Sequence, residues 1–427
     1  MTMTRHTHIG KITLTLLTIA LLFGGCRKSY PGIEYIDEKI QLDEQFEKIP
    51  IIVAVDDPLM ITTSRGVGPL DDEEETLHKW LDTKFHVYAF LARNSKYDGP
   101  IDYRAVMNPF DEEDVYCLVS DTLPNTHGKP ARINFDQGMR IAWEDEDEIL
   151  YYNLQYQDYR YNFFAYHIDD AQINEIKKSR DHVELDLTID GSQDLMSGVA
   201  SPTKEQIKAL CEDSKWTAAR IHDLAYSTTT GHRDVVPVIT MKHLLSRFSF
   251  KLTGKDEESD SVSVRNIYVR AKNRGLMTVA ADDTTRVNLT FPDSLNPALK
   301  DWPLIYLPIM EDDTIRTTGF TQKYRVSYGE TQVIGEDLLL PAGLPIDQPY
   351  TLVLECEYKD EHGRIHPYKA AYTLTLGNGR PFEPGVKYVV NVNVYGMQEI
   401  NIMIENIGWI LHPIEIDLGE EDLLPFD

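Results

Sequence analysis

The chain has 427 residues, 42% of them hydrophobic and 10% aromatic, which is enough apolar material to close sizeable cores and to exclude disorder over most of its length. At roughly 100–200 residues per domain, that length suggests two or three folded domains, with two the preferred number. The 42 Lys+Arg against 69 Asp+Glu give a net charge of −27, and a surface that repels phosphate backbones excludes nucleic acid as a partner.

The N-terminus reads as an address. Arg5 and Lys11 precede an apolar run over 12–23, and Gly24-Gly25-Cys26 follows, the pattern of a signal peptide. The run is too short to span a bilayer comfortably, and no stretch of about 18 apolar residues occurs elsewhere. The small pair before the thiol resembles a bacterial lipobox, with cleavage between Gly25 and Cys26 and acylation of Cys26; a plain secretory signal with an incidental Cys is the alternative. Removing Arg5 and Lys11 with the signal leaves 40 basic against 69 acidic residues, a net −29, so the acidity belongs to the exported body. Cys117, Cys211 and Cys356 remain, an odd number without CxxC spacing, which indicates neither a disulfide framework nor a zinc site. Cys117 and Cys356 sit in apolar strand-like runs and are expected as buried small hydrophobes.

Residues 26–48 are polar and mixed, a tether. Beyond them come short β-rich runs with alternating apolar residues: 49–55 (IPIIVAV), 85–92, 115–120, 161–168 and 183–189. Residues 203–224 give the best helical pattern, with Thr203 as cap and Ile207, Leu210, Ala218 and Ile221 on one face. A second β-rich set covers 243–252, 262–271, 286–291, 304–309, 350–360, 368–376 and 386–396. The expected fold is all-β: two tandem antiparallel β-sandwiches with few short helices, 49–238 and 239–427, joined near 236–242 where Pro237 interrupts the chain.

Motifs that tie spacing to chemistry are missing. Walker, GxSxG, HExxH and GxGxxG patterns do not occur, so the chain is expected to be no enzyme and to need no cofactor. His362 and His366 lie beside Gly363 and Pro367, which makes a turn rather than a metal-binding helix. The acidic runs 71–75 and 144–148 lack the spacing of a calcium loop and read as hydrated loops. Tyr151, Tyr152, Tyr156, Tyr159, Tyr161, Phe163, Phe164 and Tyr166 form an aromatic stretch, read chiefly as strand packing and otherwise as a platform for stacking sugars.

The order of several segments carries a resemblance. The lipobox, IPIIVAV and the following ITTSRG (61–66), YNFFAYH (161–167), DLMSGVAS (194–201), HLLSRFSFKL (243–252) and the ending GVKYVVNVNVYGMQEINIMIENIGW (385–409) resemble the fimbrillin-type (Mfa-like/FimA-like) lipoproteins of Bacteroidetes, subunits or anchors of type V pili. The resemblance implies two transthyretin-like, Greek-key sandwiches, export as a lipoprotein, and a trypsin-like cut after an Arg beyond the first strand. That strand then leaves, and an edge strand of another subunit fills its groove. An open groove suits this, because its edges lack backbone partners and its floor is apolar. On this sequence the cleavage candidate is Arg65, with an uncut surface Arg as the alternative, and the departing strand is 49–55. The candidate donor strand is 410–418, with Ile414, Ile416 and Leu418 alternating; pairing within its own domain is the alternative, and Pro413 and the acidic tail 419–427 stand against the donor role. Cys26 is followed by Arg27, Lys28 and Ser29, whereas related surface lipoproteins carry acidic residues there, so the face of the outer membrane is left open. The expected partners are other fimbrial subunits, the outer membrane through acyl (palmitate) chains on Cys26, and a host or bacterial surface receptor. The alternative function is a glycan-binding surface lipoprotein.

Overall fold

The computed structural model describes residues 49, 51–55, 84–92, 128–134, 140–143, 152, 160–179, 181–312, 314–376, 379–397 and 399–408. Gly25, Cys26, Arg65, the acidic runs, the strand expected at 115–120, Cys117, and Ile414, Ile416 and Leu418 lie outside them. Among the described residues, no helix is long and apolar enough to cross a membrane.

Strands dominate. In chain order they are β1 (Ala54–Val55), β2 (Phe85–Ala92), β3 (Lys129–Asn134), β4 (Arg140–Trp143), β5 (Arg160–His167), β6 (Gln172–Lys178), β7 (His182–Thr188) and β8 (Met196–Ala200). A helical insert follows, α1 (Lys204–Cys211), α2 (Ala218–Asp223) and α3 (Thr228–Gly231). Then come β9 (Val238–His243), β10 (Leu245–Gly254), β11 (Val262–Arg270), β12 (Arg274–Ala281), β13 (Asn288–Thr290), β14 (Leu304–Tyr306), β15 (Ile309–Glu311), β16 (Thr314–Arg316), β17 (Tyr324–Arg325) and β18 (Thr331–Pro341). The last are β19 (Tyr350–Lys359), β20 (Ile365–Leu374), β21 (Val386–Val394) and β22 (Ile400–Gly408).

The single helix expected over 203–224 is broken in two. Thr203 does cap α1: its hydroxyl accepts from the Gln206 N–H at 3.2 Å, while Gln206 Oε1 accepts from the Thr203 N–H at 3.0 Å. No residue of α1 is fully buried, and the helix closes at Glu212, whose N–H donates to the Ala209 and Leu210 carbonyls. Thr217 starts α2 afresh by accepting from the Arg220 N–H at 3.2 Å, and Ile221 anchors it in the interior.

Seven strands close into a ring in the order β1-β4-β3-β2-β5-β8-β9, and β6 and β7 join β12 and β13 in a four-stranded sheet. The inward residues of ring and sheet merge into one core, from Val53, Phe85 and Phe163 to Leu185, Met277 and Leu289. This first core therefore draws on β12 and β13, which lie beyond residue 239. A second core lies between the sheet β18-β10-β21-β22 and the sheet β14-β11-β19-β20, which meet face to face as a sandwich. The period of two explains why these segments are strands: Phe248, Phe250 and Leu252 on β10, Leu352, Leu354 and Cys356 on β19, and Tyr388, Val390 and Val392 on β21 all point into it. The fold is thus all-β and mostly antiparallel. Among the described strands, β1 pairs in parallel with β9 and β10 with β21.

Candidate functional site: the groove of the first strand

The segment leading into β1 is wedged between two strands. Ala54 pairs antiparallel with Arg140 of β4, and Ala54 and Val55 pair in parallel with Val238 and Ile239 of β9. The Ala54 N–H donates to the Pro237 carbonyl at 2.8 Å, and the Ile49 carbonyl accepts from the Tyr152 N–H at 3.0 Å. Regular ladder pairing covers only Ala54–Val55, shorter than the strand expected over 49–55. The expected alternation holds nonetheless: Ile49, Ile51 and Val53 are buried, while Ile52 and Ala54 are half-buried. At about 1.5–3 kcal/mol per buried aliphatic side chain, these three residues stabilise the docked segment by roughly 5–9 kcal/mol. Among the described residues, few backbone bonds and three apolar plugs hold this element, which adds closure to the ring without being woven through it.

The seat of Ile49 is built by the helical insert and an aromatic floor. Gly231 ends α3, and a Cβ there would stand 3.1 Å from the Tyr152 ring and 3.2 Å from Ile49 Cγ2, so a side chain would press on both. Tyr152 packs on Tyr161 (5.7 Å between centroids), Tyr161 on Phe163 (6.1 Å), and Phe163 edge-on against Tyr226 (5.7 Å). Burial, with Tyr226 and Tyr161 close by, drives the Tyr152 phenol well above its ordinary range. Among the described residues, the buried Tyr152 hydroxyl has no hydrogen-bond partner. Tyr226 holds φ 58°, a left-handed conformation costing an aromatic residue of order 1–3 kcal/mol, and its carbonyl accepts from the Tyr161 N–H at 3.3 Å. The role of Gly231, Tyr226 and Pro237 was not read from the sequence; the glycine closing the Thr-rich run 228–230 is the one local signal.

The aromatic stretch proves to be core. Tyr152, Tyr161, Phe163, Phe164 and Tyr166 are all at most 3% exposed, so the sugar-stacking platform is not formed by them; Tyr151, Tyr156 and Tyr159 lie outside the described residues. Cys356 is buried as expected, and burial pushes its thiol up to about 11. His366 sits on β20 and His362 in the turn before it; Asp360 accepts from both sides, from the His362 and Arg364 N–H groups (3.0 and 2.8 Å) and at 2.9 Å from His366 Nε2. Among the described residues, no group of three or more His, Cys, Asp or Glu side chains could hold a metal ion.

An outer strand elsewhere looks different from the groove. β20 has β19 on one flank, and it carries Pro367 and an exposed Lys369 paired with Glu355 at 2.6 Å, features that discourage a further strand from adding there.

The fold and the groove define an all-β protein of antiparallel sheets whose first strand plugs a ring. No family model and no curated protein matches the chain. Solved structures similar to it include a fimbrial protein from Bacteroides vulgatus, 11% identical with a TM-score of 0.41, covering 85% of this chain and 100% of that one. Another is the fimbrial anchor protein Mfa2 from Porphyromonas gingivalis, 11% identical with a TM-score of 0.28, covering 86% and 99%.

Proposed function

We propose that the chain is a non-enzymatic, lipid-anchored, fimbrillin-like protein of the outer membrane or fimbrium, acting in pilus assembly and cell adhesion as a stalk, anchor or tip subunit. Its lipid is carried on Cys26, and its partners are other subunits that bind by strand complementation. The observation that carries this reading is the first strand: Ile49, Ile51 and Val53 plug the ring between β4 and β9. Vacating that position exposes two strand edges and an apolar floor together, the combination that an incoming strand satisfies. Two apolar cores stand behind this reading, and β9 passes almost directly into β10.

The test is incubation of the full chain with an Arg-specific protease, followed by a labelled peptide of residues 410–418. A discrete cut near Arg65, release of the first strand and capture of the peptide only after cutting is the expected result. Neither a cut nor any assembly would reject the polymerising-subunit version. An anchor keeps its lipid and its first strand, and palmitate labelling that Cys26→Ser abolishes is the result expected of it.

A further inference from the structure

Three of the motifs that carry the family resemblance meet at one rim of the ring. YNFFAYH ends on His167, DLMSGVAS begins on Asp194, and HLLSRFSFKL begins on His243. His167 is the last residue of β5, Asp194 lies two residues before β8, and His243 is the last residue of β9. The register explains the meeting, since His167 and His243 both lie opposite Met196 at the start of β8. Gly198 lets β8 and β9 approach, because a Cβ there would fall 2.7 Å from the Thr240 carbonyl.

The polar groups form a chain. His167 Nδ1 lies 2.7 Å from the Lys84 carbonyl, just before β2, and its Nε2 lies 2.7 Å from Asp169 Oδ1. Asp169, held at φ 45° in the turn between β5 and β6, accepts with its other oxygen from the Asp194 N–H at 2.6 Å. The Asp194 carboxylate in turn meets His243 Nδ1 at 2.8–3.0 Å. His167, Asp194 and His243 are all less than 9% exposed. A neutral imidazole has one N–H and one lone pair. Here both ring nitrogens face oxygen acceptors, so only the doubly protonated ring satisfies both, and a carboxylate stands ready to balance its charge.

We infer that His167 is kept as a buried imidazolium and that, with Asp169, Asp194 and His243, it forms a proton-dependent latch between the rim of the ring and the second core. The link to the second core is the loop 189–195. Asp194 is its inner anchor, the Leu195 carbonyl accepts from the Leu244 N–H at 2.8 Å, and the Gly191 carbonyl accepts from the Leu339 N–H of β18 at 2.8 Å. The charged groups facing His167 are Asp169 from the turn after β5 and Asp194 from the loop before β8. From β2 it meets the Lys84 carbonyl and the Phe85 ring, 5.7 Å away. Burial alone would lower the imidazole's pKa, but Asp169, the hydrogen bonds and Asp194 outweigh it and raise it above the ordinary value. The latch is therefore fully formed below the ordinary imidazole range and is lost as pH rises through the raised value. When the proton passes to solvent, one ring nitrogen presents its lone pair to an oxygen, and the carboxylates of half-buried Asp169 and buried Asp194 are left with less positive charge between them.

Heteronuclear NMR of the histidine side chains in the full chain tests this, with hydrogen exchange followed at the Asp194 and Leu339 amides. The expected result is a His167 ring protonated on both nitrogens at pH 7, titrating above the ordinary imidazole value. Exchange at the two amides should accelerate in step with that titration, ahead of the second-core amides of β19. Asp169→Asn should move the His167 midpoint downward, and His167→Gln should remove the pH step. A His167 ring that is neutral at pH 7, or exchange that accelerates at the same pH with and without the Asp169 carboxylate, would overturn the inference. The readout requires neither cleavage nor assembly, so it stands apart from the fimbrial reading.

Discussion

Ile51→Ala probes the docking of the first strand. Ile51 is 4% exposed and makes the middle one of three inward contacts, so truncation removes transfer energy and leaves a cavity, about 2–5 kcal/mol. The segment it belongs to is fixed to β4, β9 and Tyr152 by few backbone bonds, so much of that loss falls on local undocking. At roughly 1.4 kcal/mol per factor of ten, the undocked population rises about 30-fold to a few thousand-fold. Hydrogen exchange at the Ala54 amide, which donates to the Pro237 carbonyl, reads this population directly, with second-core amides such as those of β19 as the internal reference. An increase below about tenfold at Ala54, or an equal increase in the second core, would refute the idea that the segment docks as a separable plug.

Tyr152→Phe removes a buried hydroxyl that lacks a partner, so urea unfolding should show a neutral or slightly stabilising effect of up to about 1 kcal/mol, and a loss of more than that would mean the hydroxyl is satisfied. Asp337 pairs with buried Arg247 and also accepts from Lys387 Nζ at 3.4 Å, so Asp337→Asn should cost about 3–5 kcal/mol in the same assay; replacing Arg247 and Asp337 together by Met and Leu should recover part of it. Asp186 accepts two bonds from Arg274 (2.8 and 2.7 Å), and this guanidinium holds the carboxyl below the ordinary carboxylate range. Its contribution is present above the unfolded value near 3.9 and lost as pH falls through the depressed one, so Asp186→Asn should flatten the acid limb of a stability–pH profile. The size of that change is small, because the Arg274 side chain is 42% exposed and solvent screens the pair.

The long strands were legible because their burial is one-sided or complete. β5, β10, β19 and β21 carry apolar residues in period two or in continuous runs, and the segments read from sequence overlap them closely. β6 was not legible: QINEIKK is half-buried or exposed along its length and holds its place through pairing with β7. β18 hides its strand character behind Gly335-Glu336-Asp337, where Asp337 is buried against Arg247. The parallel pairing of β10 with β21 joins residues about 140 positions apart, and no local signal records such a contact. The rim was half legible. Its histidines and Asp194 stand at the ends of segments singled out as motifs, but the hydrogen bonds that unite them span 83, 25 and 49 positions.

β9 links the two sites discussed above. Its first residues, Val238 and Ile239, flank β1, and its last, His243, belongs to the rim. A ring that loses a strand tends to collapse, because the newly exposed apolar floor gains by closing over itself. At the rim, a polar chain runs from the Lys84 carbonyl before β2 through His167 of β5, Asp169 and Asp194 to His243 of β9. The end of β9 beside the groove can therefore lose its neighbour while its far end stays pinned. On the proposed exchange, the space left by Ile49, Ile51 and Val53 keeps the period and spacing of a strand, and Ile414, Ile416 and Leu418 repeat that same spacing.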